Sequence, residues 1–245
     1  MNHLSALEFS PSLEREVELI EHYIAQQVTT EDPIWILEAG CGQRWTLRLD
    51  GIRYFLTGVD SDPHALDIRK NIRQDLDQAV VGDLRTVRLD PGKFDVIYSS
   101  FVLEHIQGAE GVLESFVRWL KPGGIIIIRI PDPDSVQGFI TRITPHWFHI
   151  FYYRYVLGYK NAGRPGYAPY PTYYDPVVSR AGLRRFCEKN NVTIKVELGD
   201  AYYRPGQGAV QRVISAIKRT VKTISLGKFS DRHTNLLYIL QLDKQ

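Results

Sequence analysis

Short apolar runs closed by polar or glycine residues recur along this chain and alternate with stretches whose apolar positions fall three and four apart. The runs cover residues 34–39, 54–60, 79–81, 94–99 and 125–130. Runs this short, rich in aliphatic and aromatic side chains, predict strands buried on both faces of a parallel sheet. Helical spacing fills the gaps. Leu13, Val17, Ile20 and Ile24 follow Ser10-Pro11, which predicts serine as N-cap and proline as the first residue of a helix reaching about Val28. A second helix is predicted over residues 63–77 and a third over 109–120, where Val112, Leu113, Phe116, Val117 and Leu120 share one face. This alternation predicts a doubly wound α/β sheet.

The pattern weakens at two kinds of place. Between the first two strands only residues 41–53 are available, and Trp45-Thr46-Leu47-Arg48-Leu49 alternates like a strand before Asp50-Gly51. A crossover between parallel strands normally needs a dozen residues or more, so a short helix or an irregular loop is expected there. After Pro131-Asp132-Pro133 the period disappears into an aromatic-rich stretch, residues 131–178, with Trp147, Phe148, Phe151, Tyr152, Tyr153, Tyr155, Tyr159, Tyr170, Tyr173 and Tyr174. A loop-rich insertion following a buried strand is placed to cover a pocket. A helix capped by Ser179 is then predicted to reach Asn191, with strands over 193–198 and 236–242. Between those strands a second insertion, residues 199–234, carries Val210, Val213, Ile214, Ile217, Val221 and Ile224 at helical spacing. The expectation is one domain over 1–245 with these two insertions.

Composition narrows the class without naming it. The 245 residues are 44% hydrophobic and 24% charged, enough for one sizeable globular core. A formal charge of +2 gives no strong overall field for nucleic acid, and no nucleic-acid partner is expected. Cys41 and Cys187 stand far apart, so no structural disulfide is expected, which suits a reducing cytoplasm. The start lacks a basic segment followed by an apolar one, and the longest aliphatic block, residues 125–128, is bracketed by Gly124 and Arg129; neither a signal peptide nor a membrane span is expected.

The chemistry concentrates where the first run ends, in Glu38-Ala39-Gly40-Cys41-Gly42. Glycines permit backbone angles that other residues resist and let the main chain approach a ligand with no Cβ in the way. Asp60 closes the second run eighteen residues after Gly42, a spacing suited to accepting hydrogen bonds from ribose hydroxyls. A dinucleotide enzyme shares those two features. Three more motifs extend the set: Val80-Val81-Gly82-Asp83-Leu84, then Phe94 to Ile106 with Ser99-Ser100 and Glu104-His105, then Leu120-Lys121-Pro122-Gly123-Gly124.

In this order the motifs resemble the class I S-adenosylmethionine-dependent methyltransferases of the small-molecule type. The resemblance covers roughly residues 30–130 and resumes from 179. It implies a Rossmann-like, mostly parallel seven-stranded sheet with an antiparallel last strand, and S-adenosylmethionine as cofactor. It also implies roles for individual residues. Glu38 supports the glycine turn and the cofactor's amino-acid end, and Gly40 and Gly42 pass beneath the methionine portion. Asp60 binds the ribose with Ser61 beside it, Asp83 takes the adenine amine, Leu84 contacts the ring, and Ser99 and Ser100 end a strand near the sulfonium. The chain departs from the family at position 45, where a third glycine often stands and Trp45 is found. Glu104-His105 is similar to the pair in metal-binding relatives, but Phe101 stands where a further ligand would be needed, so no metal is expected.

Several residues keep two readings. His105 follows the fourth strand and reads either as a base for the acceptor or as a histidine bonded to backbone. His149, like His146, reads as a lid residue reaching the site or as a packing residue. Asp95, at the start of a strand, reads as structural rather than catalytic. Around residues 209–232, Arg212, Lys218, Arg219, Lys222, Lys228 and Arg232 accompany an apolar stripe. Such a segment serves as a solvated surface helix or as a peripheral anchor on an anionic membrane. The function expected is methyl transfer to an oxygen of a small, largely apolar acceptor. An N- or C-methyltransferase and a non-catalytic cofactor-binding module stand as alternatives.

Overall fold

The computed structural model describes residues 7–29, 31–164, 167–200, 209–226 and 228–244. The apolar runs become strands: β1 (Glu8–Ser10), β2 (Ile34–Ala39), β3 (Tyr54–Asp60), β4 (Gln78–Val81), β5 (Phe94–Ser100), β6 (Leu120–Pro131), β7 (Val192–Asp200) and β8 (Asn235–Leu242). They form one sheet in the order β1-β7-β8-β6-β5-β2-β3-β4. All pairs are parallel except those of β8, which runs antiparallel to β6 and β7. The sheet thus has the expected Rossmann-like plan with one strand more than expected. The extra strand is β1, whose Ser10 pairs with Asp200 of β7.

That pairing also moves the first helix cap. Ser10 belongs to the sheet, and Ser12 is the N-cap of α1 (Leu13–Ala25), its side chain accepting from the Arg15 N–H. The predicted helix over 63–77 is shorter as well. A helical turn α2 (Pro63–Asp67), capped by Asp62, passes into a π-helical turn over Ile68–Arg73 that ends at Gln74 in the left-handed region. Residues 43–53 form an irregular loop whose Leu47 and Leu49 are buried, so their strand-like alternation reflects packing rather than pairing.

The remaining helices are α3 (Ala109–Trp119), α4 (Val136–Ile143), α5 (His146–Phe151) with a following π-helical turn (Tyr152–Val156), α6 (Arg180–Lys189) and α7 (Ala209–Ile224). Ser179 caps α6 as expected, accepting from Gly182. Alternation along the strands sends side chains to two cores. One gathers Leu37, Ile97, Ile126, Ile128 and Tyr238 with Phe116 and Trp119 of α3 and Phe186 of α6. The other gathers Ile36, Val96, Ile125 and Ile127 with Ile20 and Ile24 of α1 and the buried loop. Burial on this scale, at about 25 cal/mol per Å² of apolar surface, sets the sheet rigidly behind its carboxyl edge. Asp95 is structural in its contacts, accepting from the Trp35 N–H at 2.8 Å and from the Lys121 ammonium. Both cysteines are free and buried.

Candidate active site

Strand order reverses between β2 and β5: the chain runs outward through β3 and β4, then returns to the other side of β2. In a doubly wound sheet this switch point opens a crevice at the carboxyl ends of the strands. A cavity of about 1470 Å³ lies there, lined by Glu38, Gly40, Gly42, Asp60, Ser61, Asp83, Leu84, Ser100 and His105 among others. Its volume exceeds the roughly 300–1,000 Å³ of an ordinary small-molecule pocket and leaves space for two ligands side by side.

The glycine turn is fixed by the neighbouring strand. The N–H groups of Gly40 and Cys41 both donate to the Val59 carbonyl. Gly40 has φ +74°, and a Cβ there would lie 2.4 Å from a Val102 methyl. Gly42, at φ +52°, faces open space. Asp60 is partly committed to this turn: one carboxylate oxygen accepts from the Gly42 N–H at 2.8 Å and the other from the Asp62 N–H at 2.9 Å. A carboxylate offers about four acceptor positions, so two remain for hydroxyls.

Behind the turn stands a buried ion cluster. The Arg69 guanidinium donates to Glu38 at 2.8 Å, to Asp75 at 2.6 Å and to the Cys41 carbonyl at 2.8 Å. Arg69 is fully buried. Burial pushes the Glu38 carboxyl up to about 8 against the opposing pull of Arg69. Glu38 therefore braces the turn through Arg69, in addition to lining the cavity.

Asp83 and Leu84 follow β4. Leu84 is buried against the α3-side core. Asp83 is half-exposed and gripped by Arg85, whose backbone N–H and Nε both donate to it. The side-chain and backbone hydrogen bonds from Arg85 hold the Asp83 carboxyl below its usual range. Arg85 is itself exposed, so the pair can open without disturbing the core.

The two serines of β5 separate. Ser100 lines the cavity on the same strand face as Tyr98, whereas Ser99 shares the face of Ile97, buried with its hydroxyl unpartnered. The expected contact of Ser99 with the site is thus corrected: strand alternation turns it into the core. His105 lies in a single 3₁₀ turn (Leu103–His105) at the cavity wall. Its Nδ1 is 2.7 Å from the Pro171 carbonyl, which can only accept, so Nδ1 carries the proton and Nε2 keeps its lone pair. Burial lowers the His105 pKa, with the Pro171 hydrogen bond opposing. His149 does not line the cavity: its Nε2 bonds the Thr144 hydroxyl between α4 and α5. Packing of the insertion against itself accounts for that.

Two residues at this edge were not singled out from sequence as site residues, and a third, Glu104, was weighed only as a metal ligand. Arg129, at the end of β6, lines the cavity, pairs with the buried Glu16 of α1 at 2.6 Å and stacks over Phe101. Arg69 is the second. Glu104, beside His105, is buried with one carboxyl oxygen unpartnered, and burial pushes it up to about 8. A signal was present for the two arginines. Each stands at a core-facing position of its pattern, and Glu16 does the same in α1.

Residues 37–128 match a family model described as a methyltransferase domain. The sterol 24-C-methyltransferase ERG6B of Gibberella zeae is 26% identical over 150 residues, 55% of this chain and 39% of that protein. Phosphoethanolamine N-methyltransferase 3 of Arabidopsis thaliana is 30% identical over 116 residues, 40% of this chain and 23% of that protein. The chain thus spans less than half the length of these curated relatives. The crystal structure of an S-adenosylmethionine-dependent methyltransferase from Mesorhizobium loti covers 92% of this chain and 99% of its own at 15% identity, with a TM-score of 0.55. Residues 37–128 thus match a methyltransferase domain, and the chain has the fold of S-adenosylmethionine-dependent methyltransferases.

S-adenosylmethionine is the cofactor of this methyltransferase family, and the cavity's donor set fits it. Gly42 presents backbone without side-chain obstruction, Asp60 retains free acceptor positions, and Leu84 supplies an apolar wall. The Asp83 carboxylate fits an amine donor once Arg85 has swung away. No helix among the described residues is long and apolar enough to cross a membrane.

Proposed function

We propose that the methyltransferase moves the methyl group of S-adenosylmethionine to an oxygen, hydroxyl or carboxylate, of a small and largely apolar acceptor such as a lipid, a fatty acid or an aromatic natural product. The observation that carries this reading is His105: a neutral imidazole in the cavity wall, its Nδ1–H committed to Pro171. When bound, the cofactor supplies a methyl group already activated on a sulfonium. The chain's task is then to hold the acceptor in line and to exclude water. Orientation of this kind is worth roughly 7–11 kcal/mol of barrier.

Each cavity wall has a part in this. Glu38, Gly40, Gly42, Asp60, Ser61, Asp83 and Leu84 form the cofactor side. Tyr98, Val102, Ile106, Tyr167, Tyr170 and Tyr173 supply the apolar and aromatic surface for the acceptor. Three of these tyrosines come from the 131–178 insertion, which acts as the substrate cover. Nε2 of His105 takes the proton of a hydroxyl acceptor as its oxygen attacks. Glu104 lies 3.9 Å from that Nε2, and its raised pKa keeps it protonated and uncharged below about pH 8, so it does not hold His105 in the charged form. A carboxylate acceptor is already ionised and uses no base.

A second reading, transfer to nitrogen or carbon, is favoured by the names of the curated relatives, a sterol C-methyltransferase and a phosphoethanolamine N-methyltransferase. Methyl-labelled cofactor offered with panels of hydroxyl, carboxyl, amine and sterol acceptors separates the two. Label in hydroxyl acceptors, slowed about a hundredfold to ten-thousandfold by His105→Ala with S-adenosylhomocysteine affinity unchanged, supports the base. Label in amines or carbon skeletons alone overturns the oxygen assignment.

A further inference from the structure

Within the two insertions, two stretches differ from the rest of the chain in charge. Residues 135–174 contain four Lys or Arg and residues 201–230 contain six, and neither segment contains an Asp or Glu. The chain's formal charge of +2 is therefore +10 on these segments against −8 on everything else. The acid-free sequence coincides with the main exposed apolar surface. Trp147 is 66% exposed, Phe151 49% and Tyr155 73%, and Phe148 lies beside them. Their rings touch in sequence, Trp147 to Phe148, Phe148 to Phe151 and Phe151 to Tyr155. Ile143, Val156 and Leu157 border this row and are exposed too.

The second insertion packs beside the first. Helix α7 packs on α4, and Phe229 just beyond it stacks on Phe139 of α4 with centroids 4.4 Å apart. α5 follows α4 directly and is tied to it through Thr144 and His149. Arg219, Lys222 and Lys228 are exposed on this segment beside Ile224 and Leu226, which are 77% and 95% exposed; Lys222 reaches Asp231 at 2.7 Å. Arg142 and Lys160 are exposed near the aromatic row.

We infer that this face docks on an anionic lipid bilayer, with the Trp147-Phe148-Phe151-Tyr155 row entering the interface and the lysines and arginines meeting lipid phosphates. Aromatic rings with polar edges favour the headgroup level of a bilayer. Basic residues close to an anionic surface add attraction that salt screens. A nucleic-acid partner fits less well, because exposed Ile143, Leu157, Ile224 and Leu226 gain nothing from stacking on bases. A second copy of the chain fits less well too, because a two-fold contact would set these net-basic surfaces against each other. The inference stands apart from the acceptor assignment. Tyr167, Tyr170 and Tyr173 of the same insertion wall the cavity, which places the acceptor side of the site next to the docked surface.

Vesicle flotation tests it, using phosphatidylcholine vesicles with and without phosphatidylglycerol, on the full chain. Binding to the anionic vesicles at least about tenfold stronger than to phosphatidylcholine alone, and weakened by salt, is expected. Two variants should each lose it: Trp147→Glu with Phe151→Glu, and Arg219→Glu with Lys222→Glu and Lys228→Glu. Ile72→Glu, at an exposed position in the π-helical turn over Ile68–Arg73, should retain it. Calorimetry with S-adenosylhomocysteine on the same preparations keeps the cofactor site a separate result. No anionic preference, binding that survives both variants, or binding replaced by self-association or by RNA each overturns the inference.

Discussion

The glycine-turn side of the cavity and the two insertions are built in opposite ways. Around the glycine turn, polar groups have assigned partners: Arg69 with Glu38, Asp75 and the Cys41 carbonyl, and Asp60 with two backbone N–H groups. In the insertions, aromatic side chains lean on one another at the surface with little core beneath them, and α5 has no buried residue. A cofactor shared by a whole family demands fixed donors and acceptors, whereas an acceptor particular to one enzyme is met by adaptable walls. Rigidity is invested where the ligand is constant.

The largest effect should come from breaking the fixed side. Arg69→Met leaves Glu38, Asp75 and the Cys41 carbonyl without their guanidinium donor and should cost about 3–5 kcal/mol in denaturant unfolding, with cofactor-site binding lost alongside. Next comes the framework from which the insertions leave. Burial alone would raise the Glu197 carboxyl, but hydrogen bonds from Arg180, Arg184 and Tyr238 hold it at about 2 against an ordinary 4.5. A lowered carboxylate stabilises the fold above its unfolded value, and that contribution is lost as pH falls from about 4.5 towards 2. It amounts to about 3 kcal/mol, and Glu197→Gln should flatten acid unfolding across that window.

Smaller effects sharpen the contrast. Arg85→Ala frees the Asp83 carboxylate and should tighten S-adenosylhomocysteine binding about twofold to fivefold, the scale of an exposed pair. Trp147→Ala, despite the size of the side chain removed, should change stability by less than about 0.5 kcal/mol, because the ring is exposed. A similar truncation in the core, Phe116→Ala, should cost about 3–5 kcal/mol. Equal costs at the two positions would mean that the insertion is packed as tightly as the core.

The legible parts of the fold were those written locally. Buried parallel strands read as apolar runs, α3 from one apolar face, and α6 from a capping serine. The misplaced cap at Ser10 came from a contact with Asp200 that no local pattern carries. The second helix was read too long because its spacing continues past the point where the backbone tightens into a π-helical turn at Ile68. At the site, motif residues were legible and their partners were not. Nothing adjacent to Asp60 announces that Gly42 and Asp62 donate to it, and only alternation from the true strand register separates Ser99 from Ser100. Arg69, Arg129 and Glu16 were visible as charges on core-facing positions, a pattern that marks a buried pair whenever two such charges have opposite sign. Of the basic insertion, residues 201–208 and 227 and the side chain of Arg212 lie outside the described residues, as do Pro165 and Gly166 of the aromatic one.

The central claim is that the cavity at the glycine turn is the S-adenosylmethionine site. Calorimetric titration with S-adenosylhomocysteine, on the unaltered chain and on Asp60→Ala, tests it most directly. The account predicts micromolar or tighter binding that falls at least about a hundredfold in the variant, with the variant still folded by circular dichroism and no binding of NADH by either protein. Absence of binding to the unaltered chain, or equal affinity in the folded variant, would contradict it.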